Sequence, residues 1–128
     1  MLSRTAVTTD SAPAAIGPYS QAIAHDRVLY CSGALPLDRA GEIVGEGDPA
    51  AQARACLRNL EAVVAAGGGE LSRALRVTVY TTRLDEFPAI NDAYSGFFGD
   101  PPPARVTIGV AALPKGALVE IDAIVALS

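Results

Sequence analysis

Two charged residues lie inside apolar stretches near the end of the chain. Arg105 belongs to PARVTIGVA and Glu120 to ALVEIDAIVA, where most neighbours are typical of a protein core. A guanidinium offers a planar pair of donors that fits a carboxylate, and a glutamate can accept and return a proton. Together the two could bind a small carboxylic acid and assist a proton transfer on it. The alternative is a cross-strand ion pair on a solvent face, which contributes little to stability.

Alternation along the two stretches predicts which side chains share a face. If they form an antiparallel hairpin, the alternating valines and isoleucines of both strands must meet on the core side. The same register then places Arg105, Thr107, Glu120 and Asp122 together on the opposite face. We therefore expect these four side chains to be neighbours, in a functional site if that face is covered by a partner and desolvated.

Two helices must accompany these strands. The first is predicted from Asp48 to about Ala66, because Asp48 is a good N-cap, Pro49 suits the first turn, and three glycines at 67–69 end the pattern. The second is predicted over about 85–98, with apolar residues at helical spacing.

Six short β-branched runs complete the pattern, namely AVTT, SQAIA, RVLYCSG, ALRVTVYTT, ARVTIGVA and ALVEIDAIVA. The order of three strands, helix, strand, helix and two strands predicts an α+β fold, a mixed six-stranded sheet with two helices on one face. Leu29 and Tyr30 show that apolar residues occupy both faces of a strand. A face without helices needs other cover, so we expect a closed homo-oligomer.

Length and composition limit the possible functions. The 128 residues suit a single domain, 1–128, and the net charge of −4 with scattered basic residues does not favour a nucleic-acid partner. No run approaches the roughly 20 apolar residues of a membrane helix, and no secretory signal is evident, so we expect a cytoplasmic protein. Cys31 and Cys56 have no metal or redox spacing; free thiols are favoured over a disulfide.

The chain resembles the RidA/YjgF family, the reactive intermediate deaminases. The resemblance is collinear over APAAIGPYSQA, CSGALPL, QARACLRNLEAVVAAGG, VYTTRLDEFPAINDAYSGFF and PPPARVTIGVAALPKGALVEIDAIVA. It is most specific at the end, where P-A-R is followed by V-A-x-L-P and a V-E-I-D-A strand. The resemblance implies a chorismate-mutase-like fold assembled as a homotrimer, with a site in each cleft between subunits. It also implies hydrolysis of enamine and imine intermediates to 2-keto acids and ammonia, without cofactor or metal.

By the same resemblance, site roles are expected at particular positions. Arg105 would hold the substrate carboxylate, and Glu120 would position or activate water or move a proton. The expected substrate-binding residues, besides Arg105, are Tyr19, Ser32, Gly33, Asn91 and the backbone at Thr107.

Two departures and two rival functions accompany the resemblance. Many relatives have cysteine where Thr107 stands and glutamine where Ala34 stands, which puts the substrate range in question. One rival is an endoribonuclease or translation inhibitor, which the acidic charge and the single histidine, His25, do not favour. The other is a trimer that binds the same ligands, as a sensor or chaperone, without turnover.

Overall fold

The computed structural model describes residues 3–128 and contains strands and helices in the expected order. The elements are β1 (Thr5–Val7), β2 (Ala22–His25), β3 (Val28–Ala34), α1 (Pro49–Ala66), β4 (Ala74–Thr81), α2 (Phe87–Tyr94), β5 (Ala104–Gly109) and β6 (Val119–Ala126). Short 3₁₀ turns occur at 71–73, 84–86 and 114–116.

The six strands form one mixed sheet in the order β1-β2-β3-β6-β4-β5. Neighbours are antiparallel except β4 and β5, which are parallel and are connected through α2. The α+β prediction, with a mixed six-stranded sheet and two helices, is confirmed.

Helix α1 begins and ends where the sequence predicts. The Asp48 side chain accepts a hydrogen bond from the Ala51 amide at 3.2 Å, and Pro49 occupies the first turn without loss of a helical hydrogen bond. At the other end, the Gly67 amide donates to the carbonyls of the last turn. One stripe of α1 is buried in the core against β3 and β6: Ala53, Cys56, Leu57, Leu60 and Val64.

Helix α2 is shorter than the predicted 85–98. It covers Phe87–Tyr94, and a separate 3₁₀ turn precedes it. The Ser95 hydroxyl donates to the Asp92 carbonyl at 2.8 Å, and glycines follow at 96 and 99. Phe97 and Phe98 still pack against the core. The apolar pattern that predicted a longer helix therefore reflects tertiary packing after the helix has ended.

The predicted hairpin between the last two strands is wrong, because β4 lies between β5 and β6. Arg105 is opposite Val77, which is opposite Ala123, so Arg105 points to the helix-covered side. Glu120 is opposite Tyr80 on the other side.

Thr107, opposite Val79, accompanies Arg105, and Asp122 accompanies Glu120. The four polar side chains therefore divide between two faces. The parity argument failed because it assumed that strands adjacent in sequence are adjacent in the sheet.

The sheet face away from the helices carries exposed apolar side chains. Tyr30 is 47% exposed, Ile108 47% and Val106 40%. The prediction that both faces of the sheet are apolar is therefore confirmed, and the oligomer that would cover the open face stays a prediction. Within residues 3–128, no helix has the length and hydropathy required to cross a membrane.

Candidate functional site

Arg105 is held in place by one face of α2. Its Nη1 donates to the Asn91 Oδ1 at 2.7 Å, and its Cζ lies 4.8 Å from the Tyr94 ring centroid and 5.6 Å from that of Phe87. Phe87, Asn91 and Tyr94 are spaced i, i+4 and i+7, so a single helical stripe supplies all three contacts. The aromatic faces favour the cation and restrict its orientation. The remaining N–H donors of Arg105 make no hydrogen bond within residues 3–128.

A groove of about 550 Å³ opens beside this guanidinium. Asn91, Tyr94, Ser95, Phe98, Pro102 and Pro103 line it together with Arg105. An arginine with free donors at the wall of an apolar groove is suited to bind a carboxylate through two parallel hydrogen bonds.

Two hydroxyls on this side of the sheet have no hydrogen-bond partner among the described residues. They are the Thr107 Oγ1 and the Tyr94 Oη, and both are shielded from solvent. Burial raises the pKa of Tyr94, so its phenol keeps its proton at neutral pH. Unpartnered buried hydroxyls are costly, and each can hydrogen-bond a water or a ligand atom.

Glu120 occupies a different cavity, of about 340 Å³. Besides Glu120, its walls are formed by Ile16, Tyr19, Ser32, Gly33, Leu35 and Pro114. The carboxyl group lies directly over Gly33: a Cβ atom added there would be 1.9 Å from the Glu120 Oε2. Glycine is therefore required at 33 for the observed position of the carboxylate.

The Glu120 carboxylate makes no hydrogen bond or salt bridge within the described part of the chain. Burial, and secondarily the charge of Asp122, raise its pKa above the ordinary value. A carboxylate without a cation and with a raised pKa is a stronger base than an exposed one, as expected of a group that takes a proton from water.

Ser32 and Tyr19 form the wall beside Glu120. The Ser32 hydroxyl donates to the Ser20 carbonyl at 2.6 Å, so it fixes the segment that carries Tyr19 and does not offer its proton to a ligand. The Tyr19 Oη accepts from the Ile16 amide at 3.2 Å, and its ring remains 45% exposed. Tyr19 is thus presented as an accessible wall of the cavity.

Ala34 lies behind this wall. It lines a small apolar cavity of about 50 Å³ between β3, α1 and residues 12–16. Tyr19, Ser32 and Gly33 border both this cavity and that of Glu120. Ala34 therefore does not line the Glu120 cavity directly.

The predicted site residues thus fall into two groups. Asn91, Arg105 and Thr107 lie on the helix side, and Tyr19, Ser32, Gly33 and Glu120 surround the other cavity. Sequence reasoning missed the aromatic support of Arg105, although the i, i+4, i+7 spacing on α2 could have indicated it. It also missed the hydrogen bond between Tyr80 and Asp122, because the two residues are far apart in sequence and no local pattern predicts their contact.

The thiols do not belong to either group. Both cysteines are free, as the sequence favours. Burial, with a smaller contribution from Asp122, raises the pKa of Cys31 to about 12. The Cys56 thiol donates to the Val119 carbonyl at 3.3 Å, and burial raises its pKa as well. Neither thiol is a nucleophile at neutral pH. In residues 3–128, no three His, Cys, Asp or Glu side chains are grouped to hold a metal ion.

Comparison with known proteins identifies the family. The family model described as Endoribonuclease L-PSP matches residues 9–127. A RutC family protein of Sinorhizobium fredii is 46% identical over 122 residues, covering 95% of this chain and 97% of its own. The 2-iminobutanoate/2-iminopropanoate deaminase of Capra hircus is 42% identical over 123 residues, covering 96% and 90%.

A solved structure supports the same assignment. RidA from the Antarctic bacterium Psychrobacter sp. superposes with a TM-score of 0.90 at 39% identity, covering 95% of this chain and 98% of its own. The chain belongs to the Endoribonuclease L-PSP family, the RidA/YjgF family that its motifs resemble.

Proposed function

We propose that this protein hydrolyses enamine and imine intermediates of amino acid breakdown to 2-keto acids and ammonia. The substrates would be 2-aminoacrylate with its tautomer 2-iminopropanoate, and 2-iminobutanoate. The proposal rests on the presence of two complementary groups: a positioned arginine with free donors, and a half-buried carboxylate that has no cation partner within residues 3–128. Relatives at 42% identity are named for this reaction, whereas the family description names an endoribonuclease.

Arg105 binds the substrate carboxylate in this proposal. Its contact with Asn91 and its position over Tyr94 fix the guanidinium plane before the ligand arrives, so little side-chain entropy is lost on binding. The free donors then hold the carboxylate at two points and orient the adjacent C=N carbon.

Glu120 handles the proton. The imine reacts in its N-protonated form. As the water oxygen bonds to the imine carbon, Glu120 takes a proton from that water and the C=N electron pair becomes the lone pair of an amine nitrogen. Glu120 then gives this proton to the amine nitrogen. As the C–N bond breaks and ammonia leaves, the hydroxyl oxygen becomes the carbonyl oxygen of the keto acid, and its proton passes to the Glu120 carboxylate and from there to solvent. An enamine first accepts a proton at its terminal carbon and becomes the imine.

The opposite orientations of Arg105 and Glu120 require a second subunit. One chain directs Arg105 toward α2 and Glu120 toward the other face of the sheet, so one small substrate cannot contact both within a single chain. We infer that Arg105 of one subunit meets Glu120 of the next. A head-to-tail contact of this kind closes into a ring, and the proposed ring is a homotrimer with three sites.

The exposed side chains agree with such an assembly. Tyr30, Val106 and Ile108 lie on the open sheet face, and Tyr19 and Ile16 lie at the edge of the Glu120 cavity. Covering these apolar groups favours association through the hydrophobic effect. Light scattering at micromolar concentration should give the mass of three chains; a stable monomer at that concentration contradicts the shared site.

A coupled assay tests the reaction itself. A dehydratase acting on serine or threonine generates the imine, and its decay is followed in the ultraviolet with and without this protein. We expect faster decay with wild-type protein and no acceleration with Arg105→Ala. Binding of 2-oxobutyrate by calorimetry without any acceleration identifies a non-catalytic ligand-binding protein instead. RNA cleavage that persists through further purification identifies the endoribonuclease.

A further inference from the structure

Tyr80 lies opposite Glu120, but its phenol donates a hydrogen bond to a different carboxylate. The two residues are directly opposite across β4 and β6. The Tyr80 phenol nevertheless donates to the Asp122 Oδ2, at 2.9 Å. The Tyr80 hydroxyl, which lies on the residue directly opposite Glu120, is therefore hydrogen-bonded to Asp122 and does not donate to Glu120.

Asp122 lies on the same face of β6 as Glu120. The Cα atoms of residues two apart on a strand are separated by about 6.6 Å, and the side chains project side by side. Because Asp122 is anchored by Tyr80, its negative charge is held at a fixed place along this row. Glu120 has no compensating cation within residues 3–128. In the proposed assembly Arg105 of the neighbouring subunit approaches it, and because that cation is the same in wild type and in Asp122 variants, a comparison between them isolates the effect of Asp122.

The other ionisable groups around Glu120 do not supply such a charge. Tyr19 and Tyr80 carry phenols. Cys56 on α1 lies on the helix-covered side of the sheet, where its thiol donates a hydrogen bond to the Val119 carbonyl. Phenols and buried thiols are uncharged at neutral pH. Pro114 lines the cavity, but the ammonium of Lys115 beside it donates to the Gly41 carbonyl.

We propose that Asp122, anchored by Tyr80, is a positioning residue that holds a fixed negative charge beside Glu120 and leaves the Glu120 carboxylate free of hydrogen bonds. Its charge opposes ionisation of Glu120, and it engages the phenol that could otherwise donate to Glu120. A carboxylate without donors is a better acceptor for a proton of water than one already hydrogen-bonded. The catalytic part of this inference rests on the proposed function; the electrostatic part does not.

A direct titration of Glu120 tests the proposal. Protein labelled with ¹³C at the glutamate carboxyl carbon is titrated by NMR, and Glu120→Gln identifies the resonance. Asp122→Asn removes the charge and leaves an amide oxygen for Tyr80. It should lower the pKa of Glu120 by about half a unit to nearly two units, from the Coulomb interaction of charges about 6.6 Å apart at effective dielectric constants between about 80 and 20. Asp122→Ser also releases the phenol and should lower the pKa of Glu120 at least as much.

Asp122→Glu is the matched control, because it keeps the charge. It should leave the pKa of Glu120 close to the wild-type value. In the coupled assay, the limb of the pH–rate profile assigned to Glu120 should move to lower pH in Asp122→Asn and Asp122→Ser and stay in place in Asp122→Glu. A purely structural role for Asp122 would change the rate without moving that limb.

The outcomes separate this proposal from the proposed function. If the pKa of Glu120 is unchanged in the correctly assembled Asp122→Asn or Asp122→Ser protein, the role of Asp122 is refuted, whatever the activity. If that pKa falls but the wild-type protein does not accelerate imine decay, the electrostatic role stands and the deaminase proposal fails.

Discussion

Replacing Gly33 with alanine should separate folding from catalysis. The added Cβ would be 1.9 Å from the Glu120 Oε2, whereas an ordinary contact begins near 3.4 Å, so the carboxylate must move by about 1.5 Å. The obstructing atoms belong to the end of a flexible side chain, and no positive φ is required at Gly33. If Glu120 moves aside by a torsion about 30° away from its preferred rotamer, the cost is about 0.5–1.5 kcal/mol.

The effect on turnover should be much larger than the effect on stability. Misplacement of a reacting group by about 1 Å can lower a rate by about 100-fold. We therefore expect kcat of Gly33→Ala to fall by about 100-fold or more in the coupled assay, with only a small change in the melting temperature. The affinity for 2-oxobutyrate should change less, because Arg105 is untouched.

Gly96→Ala is the matched control. A Cβ at Gly96 has no atom within 4 Å, and its φ is not in the left-handed region, so the same chemical change there should leave turnover unaffected. Full activity of Gly33→Ala would show that the observed position of the Glu120 carboxylate is not needed for the reaction, and the role given to Glu120 would be wrong.

Four further predictions concern Arg105, Glu120 and Cys31. Arg105→Ala should weaken keto acid binding at least about tenfold by calorimetry, because a charge-assisted hydrogen bond contributes about 1.5–3 kcal/mol. Arg105→Lys keeps the charge but loses the planar pair of donors, so it should recover only part of this affinity. Normal binding by Arg105→Ala contradicts the assignment. Glu120→Gln should lower turnover by about 100-fold or more while keto acid binding persists. Glu120→Gln should also melt at a higher temperature than wild type at pH 7. Because the pKa of Glu120 is raised in the folded state, the stability this group contributes is complete below pH 4.5 and is lost as the pH rises through the folded-state pKa. Equal melting temperatures at pH 7 argue against burial of the charge. Cys31 should resist thiol reagents at pH 8 in the folded protein, because its pKa is about 12, and rapid labelling before unfolding contradicts this.

Local signals in the sequence were sufficient for the helix that supports the sheet. Asp48, Pro49 and the glycines after Ala66 act on the helix through contacts within a few residues of one another, and the helix in the structure begins and ends at these positions. Arg105 could be selected from its apolar surroundings, but Asn91 could be named only through family motifs, because the contact between them spans the α2–β5 connection. A pattern along one strand contains no information on which strand will be its neighbour.

The faces of β5 illustrate the limit of alternation. Val106 and Ile108 are apolar, which predicted the core side, but they are exposed on the open face while Arg105 and Thr107 face α2. Alternation indicates two kinds of face and does not say which one the helices cover. The register of β5 with β4 decides this, and that register depends on contacts distant in sequence.

The central claim is that each site is completed by Arg105 of one subunit and Glu120 of another. The measurement is the activity of a mixed assembly, made by refolding equal amounts of Arg105→Ala and Glu120→Gln chains together. Each variant alone should be nearly inactive.

If sites are shared, random mixing in a ring gives about one quarter of the contacts an intact Arg105 and an intact Glu120, so about one quarter of wild-type activity should return. If the mixture shows no more activity than the two separate variants, although mass spectrometry confirms mixed trimers, the site does not combine these two residues across subunits.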